Sequence, residues 1–132
     1  MSDFEQTWRE LGQPAAGVPQ IGLPADDDLD DHARYDRATF LFETRSYSQA
    51  AALLEPLATE HPDNAEVLLL QARSFYYSAQ LGRAETVLRG MVERWPSDGY
   101  AHLLLARTLQ RAGRAEEGAP HLKLAEAMGL GD

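Results

Sequence analysis

The feature that most constrains this chain is a recurrence every 34 residues. Glu60-His61-Pro62-Asp63 and Arg94-Trp95-Pro96-Ser97 place two prolines in matching contexts, 34 positions apart. Setting each proline near the end of a unit divides the chain into 31–64, 65–98 and 99–132. Small and apolar residues then fall into columns. Ala38, Ala72 and Ala106 share one, and Ala50, Ala84 and Gly118 another. Leu41, Phe75 and Leu109 align, as do Leu54, Leu88 and Leu122. Tyr47, Leu81 and Ala115 make a fifth column, and Leu57, Met91 and Ala125 a sixth. A unit of this length cannot bury its apolar face alone, so successive units must stack.

The spacing within a unit is helical. Val67, Leu68, Gln71, Ala72 and Phe75 follow i, i+3, i+4 steps, and so do Ala84, Val87, Leu88, Met91 and Val92. Small residues in the two segments predict a close antiparallel approach. Gly82 and Gly113 are candidates for the turn between them, and the prolines end each second helix. Asp63 with Glu66 has capping-box spacing, and Ser97 or Asp98 is placed to cap the third unit. Pro56 and Pro120 fall inside predicted second helices, where each removes an amide donor at about 3 kcal/mol unless a kink is accommodated. The expectation is all-α: two helices per unit, six in all.

These columns resemble the tetratricopeptide repeat (TPR) family. Tyr47-Ser48-Gln49-Ala50 and Leu81-Gly82-Arg83-Ala84 look like its aromatic-x-x-Ala step, over 31–132, about three quarters of the chain. There are departures: Ala fills a first-helix column that favours Gly, Met91 replaces Ala, and Leu130 stands where the third proline would be. The resemblance implies a right-handed superhelical solenoid of three repeats, with the first helices lining a concave binding face. One stripe of each first helix should line that groove. It comprises His32, Tyr35, Thr39 and Phe42, then Glu66, Leu69, Arg73 and Tyr76, then Tyr100, Leu103, Arg107 and Gln110. Arg73 and Arg107 share a column and suit a ligand combining apolar anchors with carboxylates, unless nearby acids neutralise them. The clamp with which some TPRs hold chaperone tails is missing: Tyr35, Thr39, Leu70, Tyr100 and Leu104 occupy its cationic and amide positions.

Residues 1–30 read differently. Ser2 to Gly12 has a capping pair (Ser2, Glu5) and an apolar stripe (Phe4, Trp8, Leu11), predicting a short amphipathic N-terminal helical extension. Pro14, Gly17, Pro19, Gly22 and Pro24 then predict an extended linker, and Asp26-Asp27-Asp28-Leu29-Asp30-Asp31 leads into the first unit. Three arrangements are open: docking as a cap on the first unit, disorder, or return to the groove as a tethered ligand.

Composition narrows the function. The net charge is −9 over 132 residues, and residues 1–30 carry seven acids against Arg9 alone. Such a chain repels phosphate backbones, so no nucleic-acid partner is expected. No apolar run approaches a membrane span and no leader is evident. Cysteine is absent, which removes disulfides and thiolate metal sites and leaves a cytoplasmic location as the default. The acidic run lacks the glycine and twelfth-position acid of a calcium loop, with Asp31 and Arg37 standing there instead. His32, His61, His102 and His121 show no local metalloprotease pairing, and His102 falls in a core-facing column. No catalytic, cofactor or metal residues are assigned, so the chain is not expected to be an enzyme. The expected function is protein–protein interaction through the groove. A self-associating protein, dimerising through the uncapped last helix (Leu122, Ala125, Met128) or an exchanged N-terminal segment, is the alternative. A chaperone of the type III secretion kind is a lesser one, resting on resemblance alone.

Overall fold

The computed structural model describes residues 29–130, so the predictions for the N-terminal helix and linker lie outside the described residues. Six α-helices follow one another: α1 (Asp31–Glu43), α2 (Tyr47–Glu60), α3 (Ala65–Tyr77), α4 (Leu81–Arg94), α5 (Gly99–Arg111) and α6 (Ala115–Ala127). No strand occurs among the described residues. Each helix packs on the one before and the one after it, and α1 with α3, and α3 with α5, also touch. The first helices of successive units therefore lie side by side, as a helical-repeat solenoid requires.

The small-residue columns are where the helices meet. Ala38, Ala50, Ala72, Ala84 and Ala106 are all 0% exposed. In the third unit the approach is close: a Cβ added to Gly118 would sit 3.0 Å from the Ala106 carbonyl oxygen and 3.3 Å from its Cα. Leu54, Leu88, Leu105 and Leu109 fill the space around these contacts, and the core continues through Phe75, Met91 and Leu104.

The first helices begin alike. Asp30, Asn64 and Asp98 accept hydrogen bonds from the backbone N–H groups of Ala33, Val67 and Ala101, satisfying one orphan donor in each first turn. The cap of α3 is thus Asn64, not the predicted Asp63, because Pro62 and Asp63 belong to the turn. Asp98, rather than Ser97, caps α5.

Within each unit the turn is also repeated. Arg45, Ala79 and Gly113, again 34 apart, adopt left-handed φ of 67°, 61° and 79°. The residue after each sends its N–H back to the carbonyl five positions earlier, as in Ser46 to Leu41, Gln80 to Phe75 and Arg114 to Leu109. This is the Schellman closure, which satisfies carbonyls at a helix end. Gly113 serves the turn as predicted. Gly82 does not: it lies in the first turn of α4, where an added Cβ would meet nothing within 4 Å.

Between units, Pro62 and Pro96 follow the C-caps His61 and Trp95 and stop α2 and α4. The third unit, with Leu130 in place of the unit-ending proline, ends on Gly129 at φ 88° with Leu130 N–H bonded to Ala125 O. Pro56 and Pro120 do not break α2 and α6. Both lie on exposed faces, and the carbonyls they leave without a helical donor belong to the exposed residues Ala52 and Glu116.

Candidate interaction surface

The ten predicted groove residues are all partly or fully exposed: Tyr35, Thr39, Phe42, Leu69, Arg73, Tyr76, Tyr100, Leu103, Arg107 and Gln110. Their stripe carries two unlike regions.

The first lies where α1 and α3 end and α2 begins. Phe42 meets Tyr47 edge to face at 5.1 Å and Tyr77 at 5.7 Å, while Tyr47 and Tyr77 stack at 5.1 Å. Tyr76 adjoins Tyr77 at 5.3 Å. Two cations overlie this aromatic ledge. The Arg73 guanidinium lies 4.5 Å from the Phe42 ring centre, and Arg111 lies 4.6 Å from that of Tyr76 while donating to its backbone oxygen. Such contacts are worth about 0.5–2 kcal/mol and leave the cation's charge unneutralised. The Nε–H of Arg73 is buried and meets no acceptor among the described residues. Tyr77 remains 52% exposed, so the ledge opens to solvent.

Of the predicted stripe, then, Phe42, Arg73 and Tyr76 belong to the ledge. Tyr47, Tyr77 and Arg111 belong to it too, although they lie off the stripe. The signal for Tyr77 was available: it directly follows Tyr76 at the end of a first helix, where neighbouring side chains splay around the terminus. Tyr100, Leu103 and Gln110 take no part in the ledge, and Arg107 is partly buried in α5.

The second region lies at the opposite ends of α1 and α3. A cleft of about 330 Å³ is lined by Asp31, His32, Tyr35, Leu57, His61, Asn64, Glu66 and Val67. His32 pairs with Asp36 at 3.3 Å, and His61 with Asp31 at 2.7 Å. The Tyr35 phenol is held above its ordinary value, first by burial and then by the Glu66 carboxylate, with Arg73 pulling the other way. Across the stripe, therefore, acids and imidazoles face one edge while arginines and aromatics face the other. A larger cleft, about 490 Å³, is lined by Pro62, Leu68, Trp95 and residues of α4 and includes no predicted groove residue.

Elsewhere, His102 is 4% exposed, as a core-facing histidine should be. Its Nε2 lies 2.8 Å from Pro96 O and its Nδ1 3.0 Å from Nδ1 of His121. On α6, Ala125 is 0% exposed and so is not part of an outer apolar face. That face is formed instead by Leu124 and Met128, 44% and 42% exposed, with half-buried Leu122 beside them. The column of Ala125 is buried in every unit, with Leu57 2% and Met91 1% exposed.

No protein-family model matches the sequence, and neither does any curated protein. Among solved structures, a mutant of MamA superposes with a TM-score of 0.71 at 23% identity, covering 80% of this chain and 77% of that one. A second MamA structure, from AMB-1, gives 0.71 at 22% identity over 76% of this chain and 60% of its own length. Likeness at this level of identity establishes architecture. The six paired helices fit the tetratricopeptide pattern, and the chain shares the helical-repeat fold of MamA.

Proposed function

We propose that this chain is a non-catalytic protein-interaction scaffold whose first-helix face takes a segment of a partner protein. The observation that carries the reading is the aromatic ledge of Phe42, Tyr47, Tyr76 and Tyr77 with Arg73 and Arg111 laid over it. Aromatic and Arg side chains are the residues that concentrate binding energy at protein interfaces. The arginines here sit against rings, so a carboxylate from a partner gains a charge-assisted hydrogen bond without breaking an ion pair. The fitting ligand is an extended or helical segment with an aromatic or aliphatic anchor next to an acidic group. The acidic cleft at the other edge favours a basic residue beyond it, which gives the segment a direction.

Selection of displayed random peptides tests this. Peptides enriched on the parent should carry an apolar–acidic pair and lose binding at least tenfold to Arg73→Glu and to Tyr77→Ala. Identical selections on parent and variants would place binding elsewhere. Self-association is the second reading, favoured by the exposed Leu124 and Met128 on the last helix. Light scattering over a hundredfold concentration range separates it: a dimer abolished by Leu124→Asp supports it, and a monomer throughout removes it.

A further inference from the structure

We infer that Asp31, Glu60 and His61 form a site for a divalent transition-metal ion of the zinc class. One ligand atom from each residue lies within 4.8 Å of the other two, and His61 Nε2 stands 2.7 Å from Asp31 Oδ2. Tetrahedral zinc, with bonds of roughly 2.0–2.2 Å to nitrogen and oxygen, sets its ligands about 3.3 Å apart. Reaching that spacing needs side-chain shifts on the order of 1 Å, well within rotamer adjustment.

The backbone beneath the trio is firm. Asp31 is the first residue of α1, behind the Asp30 cap, and Glu60 is the last of α2. His61 caps α2, donating its N–H to Leu57 O and accepting from Asn64 N–H at 3.0 Å, while Pro62 behind it restricts its backbone. All three side chains are exposed or half-exposed, and Asp31 and His61 line the 330 Å³ cleft, leaving a fourth coordination position open to water. A metal displaces the proton shared between Nε2 and the carboxylate, as binding to imidazole requires.

Packing does not account for the trio. In the second unit the same three columns hold Ala65, Arg94 and Trp95, and in the third Gly99, Met128 and Gly129. Those units stack without any such grouping, so it is an addition to the repeat, confined to the first unit. The donor set chooses the ion: an imidazole with two carboxylates suits Zn²⁺, whereas Mg²⁺ and Ca²⁺ prefer oxygen alone.

Calorimetric titration of the full chain with Zn²⁺ in excess Mg²⁺ is the test. The expected result is one Zn²⁺ per chain, weakened at least tenfold in His61→Ala and several-fold in Glu60→Gln, and unchanged in His121→Gln. Zn²⁺ should also raise the Tm of the parent but not of His61→Ala, because an ion held by folded ligands stabilises only the folded state. Absence of binding at 100 µM Zn²⁺, or parent-like affinity in His61→Ala, overturns the site. These side chains are exposed, so circular dichroism of the variants should match the parent.

Discussion

His102 and His121 face each other through their Nδ1 atoms at 3.0 Å, their rings nearly parallel at 24°. Pro96 O can only accept, so His102 Nε2 carries a proton; in the neutral pair its Nδ1 then accepts from Nδ1–H of His121. The chain of bonds ties α5 to α6 and to the elbow behind α4.

A second proton on this pair would set two imidazoliums against each other. Burial, then the neighbouring His102 and Arg89, hold His121 below its ordinary value of 6.5. The unfolded chain therefore binds more protons as pH falls. The contribution of His121 is complete above pH 6.5 and is lost as pH drops toward its depressed folded value. Urea unfolding midpoints between about pH 8 and pH 5 should fall for the parent and fall less for His121→Gln. Below this range a second loss is expected. Arg114 holds Glu117 and Glu85 below the usual carboxylate range of 4.5, and their protonation releases the bridges linking α4 to α6.

The ledge separates binding from stability. Phe42 supports Tyr47, Tyr77 and Arg73 at once, so Phe42→Ala should cost about 2 kcal/mol, less than for a fully buried ring. Tyr77 is half in solvent, and Tyr77→Ala should change stability by under about 1 kcal/mol while weakening peptide capture. Equal losses of stability in both would mean Tyr77 is a packing residue.

The left-handed turn column predicts opposite signs at equivalent positions. Ala79 adopts φ 61° and strains against its own Cβ, so Ala79→Gly should stabilise by about 0.5–1 kcal/mol. Gly113→Ala imposes the same strain at φ 79° and should destabilise by about 1 kcal/mol. Chemical denaturation of the two variants checks the pair.

Gly118 sits against the backbone of Ala106, which cannot rotate away. Gly118→Leu should pry α6 from α5 and cost about 2–3 kcal/mol, read as a lower Tm with loss of helical signal. Retention of the parent Tm would show that α6 contributes little to the folded unit.

The helix count and register were legible because each depends on residue size at a fixed period. Alanine at 38, 72 and 106 is demanded by a backbone approach that larger side chains block. The turns were only partly legible. Gly113 signals a left-handed residue, but Arg45 and Ala79 adopt the same φ with no sequence mark, held by the Schellman bonds around them. Gly82, a plausible turn residue by type, lies one step inside a helix instead. Half of the ledge was readable from the stripe; Tyr47 and Arg111 join it only through contacts between elements. The Asp31–His61 pair is hidden in the sequence for the same reason, since 30 residues separate its members and local spacing carries no mark of it.

Among the described residues each helix packs mainly on those adjacent in order, with smaller contacts from α1 to α3 and from α3 to α5, so no extensive contact joins α1 to α6. Loss of structure can then start at a terminus and proceed helix by helix, as in a zipper. Amide exchange should be slowest in α3 and α4, which lie farthest from either end, and the terminal helices set how long the middle stays intact.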